Sequence, residues 1–232
     1  MLDVLFPLGA AVLAYLIGSL SFAVIVSRCM GLNDPRSYGS GNPGATNVLR
    51  SGRKSAAIAT LLLDALKGWL PVWAVGLWGA AYGLHEGTQA LVAMAAFLGH
   101  LYPVFFRSQG GKGVATAAGV MLGINPWLGL VVILGWLLVV LIWRYSSLGA
   151  LAAACFAPLV YVVADGGLWI THAWLLVAVL VMSALLIWRH RENISRLIKG
   201  QESKLGQKKS AASAVKTARG ASDKHPAAPR RH

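Results

Sequence analysis

The segment GVATAAGVMLGI, residues 113–124, decides how many times this chain crosses a membrane. It is apolar but only twelve residues long, so as a helix it rises about 18 Å against a hydrocarbon core of about 30 Å. The glycine-rich QGGKG precedes it, and Asn125-Pro126 follows, where the proline should end the helix. Taken alone, the segment fits a re-entrant helix as well as a short crossing.

Longer apolar runs lie on both sides of this segment, and each approaches the roughly 20 residues that a spanning helix needs. They are residues 4–27, 55–79, 88–106, 126–143, 147–164 and 168–188. Of the 232 residues, 56% are hydrophobic and 12% charged, against about 45–50% and about 25% in soluble domains. This composition excludes an ordinary soluble enzyme, a disordered chain and a disulfide-rich secreted scaffold. It predicts an all-α, polytopic integral membrane helix bundle.

The distribution of positive charge favours seven crossings. If all seven segments cross and the N-terminus is outside, every Lys and Arg lies on the inner side except Lys67, which falls within a membrane run. If residues 113–124 did not cross, the twelve Lys and Arg of residues 189–232 would lie outside, against the positive-inside rule. We therefore expect seven transmembrane helices, one of them short, with the N-terminus outside and the C-terminus in the cytoplasm.

The chain divides into an integral membrane domain, residues 1–204, and a basic C-terminal tail, residues 205–232. The tail is rich in Lys, Ala and Ser, which is typical of a disordered segment. We expect it to be attracted to anionic lipid headgroups. Nucleic-acid binding is not expected, because the tail has no interleaved aromatic residues on which bases would stack.

The first of three polar clusters on the inner side is GSGNPGATNVLR, residues 39–50. Asn42 followed by Pro43 predicts a helix N-cap with proline at the first helical position, whose free N–H groups would favour an anion. The alternative is an ordinary glycine and asparagine loop with a snorkelling arginine. The candidate residues of this cluster are Ser40, Gly41, Asn42, Gly44, Thr46, Asn47 and Arg50.

The second cluster is QGGKG, residues 109–113, which leads into the short helix. Its candidate residues are Gly110, Gly111, Lys112 and Gly113. A glycine-rich turn at a helix N-terminus offers backbone donors, a point charge and a dipole, which suit a phosphate. The sequence is not a Walker A loop, and a flexible loop whose lysine sets the topology is an equal alternative.

The third cluster is HRENISRLIKGQESK, residues 190–204, directly after the last apolar run. His190, Asn193 and Leu197 share one face of a helix that would lie along the membrane interface and end near Gly200. His190 and Asn193 would then face the same site as the other two clusters. The alternative is that His190 is a surface residue beside two arginines.

Asp64 and Lys67 lie three residues apart within the second apolar run, so their side chains can pair. Ionisable residues at membrane depth are a functional hypothesis by default, but here we favour structural support of the neighbouring loops. Gly119 and Gly123 in the short segment have the spacing that lets helix backbones approach closely.

Taken together, the clusters predict a site that binds phosphate twice at a lipid interface, with no evident strong base. The chain lacks the spacing of metal ligands, a G-x-S-x-G elbow and an H-x-x-x-x-D dyad, so no metal and no cofactor are expected. An acyl phosphate is already activated, and positioning with charge neutralisation would supply most of its acceleration. The alternative is a transporter or channel for a small organic phosphate, which would use the same anion-binding groups.

The segments GSGNPGATNVLR, GGKGVAT and HRENISRLIKGQESK resemble the three signature segments of the bacterial acyl-phosphate:glycerol-3-phosphate acyltransferases, the PlsY family. The resemblance implies a seven-helix enzyme of the bacterial cytoplasmic (inner) membrane whose active site faces the cytoplasm. It would transfer a fatty acyl group from acyl phosphate to the sn-1 hydroxyl of glycerol 3-phosphate, giving lysophosphatidic acid and phosphate. The lipid bilayer is then a partner, and the enzyme that supplies acyl phosphate is a further candidate partner.

The same resemblance implies catalytic roles for Ser40 and Arg50 in the first segment, and for His190 and Asn193 in the third. It associates the glycine-rich segment, including Lys112, with a substrate phosphate. Our hypothesis places Arg50, Lys112 and His190 on phosphates, while Ser40 and Asn193 orient the acyl carbonyl and the acceptor hydroxyl. Glu202 matches a family residue, and we expect it either to contact substrate or to order the third segment.

Overall fold

A computed structural model describes residues 2–207, and ten α-helices make up most of this part of the chain. Two short 3-10 turns span Gly79–Tyr82 and Val104–Phe106. The helices are α1 (Leu2–Gly18), α2 (Phe22–Cys29), α3 (Ala45–Leu49), α4 (Lys54–Trp78), α5 (Glu86–Leu101), α6 (Val114–Ile124), α7 (Pro126–Trp143), α8 (Ser146–Val163), α9 (Ala173–Arg189) and α10 (Arg191–Ile198). The prediction of an all-helical chain is thus confirmed for the described residues.

Four helices in the described part are long and apolar enough to cross a membrane, namely α4, α5, α7 and α8 with their short extensions. The count rises to six if each of two bent pairs forms one span: α1 with α2, bent by 44°, and α9 with α10, bent by 56°. Helix α6 is apolar but shorter, as its sequence predicts.

Two of the apolar runs differ from the helices that form. The run over residues 4–27 is broken between Gly18 and Phe22, where α1 ends and α2 begins. The run over residues 168–188 becomes helical only at Ala173. Its first residues belong instead to a compact loop, in which the Asp165 carboxylate accepts a hydrogen bond from the Thr171 N–H at 2.7 Å.

Glycines let α6 pack directly against the backbone of α4. A Cβ atom at Gly119 would clash with the carbonyl oxygen of Ala65, and one at Gly123 would lie 2.9 Å from the carbonyl oxygen of Trp69. Gly68 on α4 is equally close to the backbone of α6. The close approach predicted from the spacing of Gly119 and Gly123 is confirmed.

The two ends of α6 lie at opposite ends of the bundle. Its N-terminus adjoins the glycine-rich loop, beside the end of α5. At its C-terminus, Asn125 lines a second cavity of about 360 Å³ together with Glu86, Tyr161 and His172, which belong to the far ends of α5, α8 and α9. The short helix therefore connects the same two ends as its longer neighbours.

Asp64 and Lys67 form the ion pair that the sequence predicts, with Nζ and Oδ1 2.8 Å apart and both side chains at most 3% exposed. The Lys67 ammonium also donates to the carbonyl oxygen of Leu20 at 2.6 Å. Leu20 lies in the break between α1 and α2, where helical hydrogen bonding stops. The Leu20 carbonyl thus accepts from Lys67 as well as from the Phe22 N–H at 3.1 Å, so the pair reinforces the backbone at the break.

The C-terminal boundary predicted at residues 204 and 205 stays a prediction, because residues 208–232 of the basic tail lie outside the described residues. The segment just before them is held against the bundle. The Leu205 N–H donates to the Arg144 carbonyl at 2.7 Å, and the Arg144 guanidinium donates to the Leu205 carbonyl at 2.9 Å.

Candidate active site

A cavity of about 180 Å³ opens at the end of the bundle where the three polar clusters meet. Four cationic side chains and one carboxylate face it, so it favours anions. It is lined by Ser40, Gly41 and Asn42 from the first cluster, Gly110 and Lys112 from the second, Arg191, Glu192 and Arg196 from the third, and Arg189 directly before the third. Segments far apart in the sequence therefore form one anion-binding site.

Asn47 shapes the loop of the first cluster. Its side chain is 1% exposed, and its amide donates to the carbonyl oxygens of Pro35 at 2.6 Å and Tyr38 at 3.1 Å. Its carbonyl oxygen accepts from the Ser40 N–H at 3.0 Å and from Arg50 Nη1 at 3.4 Å. Every polar atom of Asn47 is thus used inside the loop, and the loop presents Ser40 to the cavity.

The helix predicted to start at Asn42 starts later. Gly44 is the N-cap of the five-residue α3, so the prediction of an N-cap at Asn42 with Pro43 as the first helical residue is wrong. Anion binding by this segment stays a prediction. Pro43 is instead buried against the second cluster. The contact is close, since a Cβ atom added to Gly111 would lie 2.9 Å from the Pro43 carbonyl oxygen. This tertiary contact keeps the backbone at residues 42–44 out of the helix.

The glycines of the second cluster are required by the space around them. Cβ atoms at Gly110 and Gly111 would clash with the backbone and the imidazole of His100. Gly113 has φ +85°, and a Cβ atom there would meet the ring of Phe97. The loop is therefore packed tightly onto the end of α5, as only glycine allows.

Lys112 connects the second cluster to the third, because its ammonium donates to Oδ1 of Asn193. The Asn193 amide in turn donates to Glu202 Oε1 at 2.6 Å. The pKa of the Lys112 ammonium is lowered to about 8, chiefly by burial and then by the nearby Arg196, while Glu202 acts in the opposite direction. Lys112 is thus a cation at neutral pH that can lose its charge under mildly alkaline conditions.

Glu202 orders the third cluster. Its carboxylate also accepts from Ser147 Oγ at 2.7 Å and from Arg196 Nε at 2.7 Å. Burial alone would raise the pKa of Glu202, but these hydrogen bonds and the one from Asn193 hold that pKa below its ordinary value. The carboxylate therefore stays ionised with its acceptor sites occupied by protein groups.

His190 is 3% exposed and sits at the junction between α9 and α10. Its Nδ1 lies 2.8 Å from the Leu186 carbonyl oxygen, so Nδ1 carries the hydrogen and Nε2 is left as an acceptor. The pKa of His190 is lowered to about 4, chiefly by burial and to a lesser extent by the charge of Lys112, despite that hydrogen bond. At neutral pH His190 is consequently an uncharged acceptor.

The remaining candidates lie beside the cavity. The described residues that line it do not include nine of the candidates, although all nine belong to the segments that enclose it: Gly44, Thr46, Asn47, Arg50, Gly111, Gly113, His190, Asn193 and Glu202. Thr46 Oγ1 lies 3.1 Å from Ser146 Oγ, which joins the first cluster to the start of α8. Within residues 2–207, no three His, Cys, Asp or Glu side chains are grouped as metal ligands would be.

Sequence reasoning missed four charged residues that line the cavity, Arg189, Arg191, Glu192 and Arg196, and it missed the serines that begin α8. Arg189 lines the cavity and donates to the glycine-rich loop. Ser146 and Ser147 begin α8 on the same side of the bundle as the three clusters, because Ser146 Oγ lies 3.1 Å from Thr46 Oγ1 and Ser147 donates to Glu202. For the two serines, the signal in the sequence is a pair of polar residues at the inner start of an apolar run.

The sequence profile of the family described as "Glycerol-3-phosphate acyltransferase" matches residues 8–200. A glycerol-3-phosphate acyltransferase of Paraburkholderia phytofirmans is 64% identical over 210 residues, which are 90% of this chain and 96% of that protein. One of Albidiferax ferrireducens is 64% identical over 203 residues, 88% of this chain and 91% of that protein.

Two solved structures have the same fold as this chain. One is a crystal structure of PlsY, an integral membrane glycerol 3-phosphate acyltransferase, in its glycerol 3-phosphate form. It has a TM-score of 0.78 and 40% sequence identity, and the match covers 86% of this chain and 96% of the other. The other is the lysophosphatidic acid form, with a TM-score of 0.76, 38% identity, and coverage of 86% and 95%.

Proposed function

This chain belongs to the glycerol-3-phosphate acyltransferase family, and we propose that it transfers a fatty acyl group from acyl phosphate to the sn-1 hydroxyl of glycerol 3-phosphate. It is an integral membrane acyltransferase acting on glycerol 3-phosphate. We therefore reject the alternative function, a transporter or channel for a small organic phosphate. The donor, the position of the acceptor hydroxyl and the roles of individual residues are our proposal.

The observation that carries the proposal is the meeting of the three clusters at one cavity in which Lys112, Arg189, Arg191 and Arg196 outnumber Glu192. Both proposed substrates bear a phosphate, and so does the leaving group. A site of this charge lowers the free energy of anions as they approach one another and as phosphate departs.

In the proposed reaction, the acceptor oxygen forms a bond to the acyl carbonyl carbon, and the bond from that carbon to the phosphate oxygen breaks. Phosphate leaves with the electron pair of that bond and takes up the proton from the hydroxyl. Since phosphate is a good leaving group, holding the reactants in line supplies much of the acceleration.

We assign the phosphates to Lys112 and Arg50, and the acyl carbonyl and acceptor hydroxyl to Ser40 and Asn193. The sequence-based hypothesis places His190 in contact with a phosphate. Its neutral imidazole, with Nε2 as the acceptor, instead favours a hydrogen bond from the acceptor hydroxyl. Glu202 supports Asn193 and Arg196 and is assigned no substrate contact, because its oxygens already accept from the protein.

We further propose seven crossings with the N-terminus outside, and an active site facing the cytoplasm at the bacterial inner membrane. The distribution of Lys and Arg supports this orientation. The position of Asn125 beside the far ends of α5, α8 and α9 supports counting α6 as a crossing.

The experiment that tests the donor uses purified protein in detergent with glycerol 3-phosphate, and palmitoyl phosphate or palmitoyl-CoA in separate reactions. Lysophosphatidic acid is followed as the product, and its acyl position is determined. We expect 1-acyl product from the acyl phosphate alone. Product from the CoA ester alone would overturn the donor, and 2-acyl product would overturn the acceptor position.

Two variants make the donor assay specific to the site. Lys112→Ala removes the cavity lysine and is expected to reduce turnover by about 100-fold or more. Arg28→Gln removes an exposed arginine away from the cavity and is expected to behave as wild type. Equal turnover in Lys112→Ala and wild type would contradict the assignment of Lys112 to a phosphate.

A further inference from the structure

Arg189 is the last residue of α9, and its guanidinium lies against the glycine-rich loop. Nη2 donates to the carbonyl oxygens of Gly110 at 3.0 Å and Gly111 at 2.9 Å, and Nε is 3.3 Å from the Gly111 oxygen. The guanidinium also stacks near the ring of Tyr102, 5.8 Å from its centroid. One side chain thus holds two consecutive peptide groups of the loop.

These two peptide groups control where the loop directs its N–H groups. In a trans peptide the carbonyl of one residue is antiparallel to the N–H of the next. With the Gly110 carbonyl on Arg189, the Gly111 N–H points the other way and donates to the His100 carbonyl at 3.2 Å. With the Gly111 carbonyl on Arg189, the N–H of Lys112 is likewise turned away from the arginine.

The two glycines at the centre of the loop do not restrain this shape by themselves. Gly110 and Gly111 carry no side chains, and glycine loses more conformational freedom on ordering than any other residue. Arg189 on one side and the His100 backbone on the other therefore supply the restraints that the glycines lack.

We propose that Arg189 is a positioning residue, which fixes the glycine-rich loop and thereby sets Lys112 against the third cluster for acyl transfer. The proposal rests on the proposed function. Its planar fork makes Arg189 suited to this task, since its N–H groups donate in fixed directions, whereas a lysine ammonium is a point charge on a flexible stem. Arg191 has a different environment, because its guanidinium stacks on Trp188, 4.9 Å from the ring centroid.

A first test measures the order of the loop without any substrate. Hydrogen exchange followed by mass spectrometry is compared for wild type, Arg189→Gln, Arg189→Lys and the matched control Arg28→Gln. In Arg189→Gln we expect exchange in the peptide covering residues 102–113 to accelerate by about tenfold. Arg189→Lys should give an intermediate rate, and Arg28→Gln the wild-type rate. Unchanged exchange in Arg189→Gln would overturn the proposal.

A second test separates positioning from direct binding of phosphate. If Arg189 acts through the loop, kcat for Arg189→Gln falls by about 10-fold to 100-fold while KM for glycerol 3-phosphate changes little. A direct phosphate contact would instead raise KM with kcat largely kept. Full recovery of kcat in Arg189→Lys would also overturn the proposal, because a point charge would then suffice.

A double-mutant cycle identifies the route of the effect. The losses from Arg189→Gln and Lys112→Ala should be far from additive, because both act through the same loop. The losses from Arg189→Gln and Arg50→Ala should be close to additive. Additivity with Lys112→Ala would overturn the proposal.

These tests also separate failure of the inference from failure of the proposed function. Loss of loop protection in Arg189→Gln is read without donor or acceptor, so it stands even if acyl phosphate proves to be the wrong donor. If Arg189→Gln does not elute as a folded protein, Arg189→Lys carries the comparison. Wild-type exchange and kcat in that variant would overturn the proposal, and a loss of both would support it.

Discussion

Lys112 is the cation of the site whose charge changes close to neutral pH. Burial lowers the pKa of its ammonium to about 8, so the charge that would bind phosphate is present below that pH and lost above it. We expect kcat/KM to fall above about pH 8 with the titration of one group. In Lys112→Arg the guanidinium stays charged, so any remaining activity should not fall in this range.

The measurement is kcat/KM from about pH 6 to about pH 10 for wild type and Lys112→Arg, with initial rates corrected for spontaneous hydrolysis of the donor. His190 does not contribute to the alkaline limb, because its pKa is lowered to about 4 and it is already neutral there. The same alkaline limb in both proteins would assign it to a group other than Lys112.

The Asp64–Lys67 pair gives a prediction about stability at the residue scale. Removing one partner leaves a buried charge unpaired, and Lys67 also satisfies the Leu20 carbonyl. Lys67→Met should therefore destabilise the fold by about 3–5 kcal/mol. The double variant Asp64→Asn with Lys67→Met should lose less, because no lone charge remains. Thermal unfolding in detergent measures both, and a larger loss in the double variant would contradict this account.

At the scale of elements, α6 depends on its contact with α4. Gly119 meets the Ala65 carbonyl so closely that a methyl group must push the two helices apart. We expect Gly119→Ala to destabilise the protein by about 1–3 kcal/mol, and to reduce activity because α6 begins at the glycine-rich loop. Thermal unfolding in detergent together with turnover checks this.

Gly9→Ala is the matched control for Gly119→Ala. Gly9 also lies inside a helix, but no atom lies within 4 Å of the place its Cβ would take. Because alanine is the better helix former, this substitution should be neutral or stabilise by about 0.5–1 kcal/mol. Equal destabilisation by both substitutions would mean that close packing is not what Gly119 provides.

At the scale of the whole molecule, the proposed crossing of α6 decides on which side of the membrane the loop between α8 and α9 lies. With seven crossings, Gly167 is outside, on the same side as Ala81 and opposite Ser108. If α6 did not cross, Gly167 would lie inside. Gly167, Ala81 and Ser108 are all exposed, so a cysteine at each is open to labelling.

The measurement uses the substitutions Gly167→Cys, Ala81→Cys and Ser108→Cys in a chain whose exposed Cys29 and Cys155 are replaced. Intact cells are treated with a membrane-impermeant maleimide. We expect Gly167→Cys and Ala81→Cys to be labelled, and Ser108→Cys to react only after the membrane is opened. Labelling of Gly167→Cys in the pattern of Ser108→Cys would remove the seventh crossing.

The sequence by itself determined the apolar runs that become helices and the three polar clusters that meet at one cavity. Apolar runs of spanning length reflect the energy of burying peptide groups in lipid, which acts on each segment independently. The pairing of Asp64 with Lys67 and the close packing of Gly119 follow from helix periodicity, which is also local. Such properties depend on neighbours in the chain, and the sequence displays them directly.

Only the tertiary structure decided how the gathered residues interact. Lys112 and Asn193 are 81 positions apart, and their hydrogen bond follows from how α9 packs beside the glycine-rich loop. Pro43 packs against Gly111 and is not part of the helix that the sequence predicts. Arg189 lies 78 positions after Gly111, and it donates to the Gly111 carbonyl because α9 ends beside the loop. The lowered pKa of Lys112 likewise depends on burial and on charges brought near by folding. Distance and burial between remote segments are properties of packing, so no local pattern in the sequence contains them.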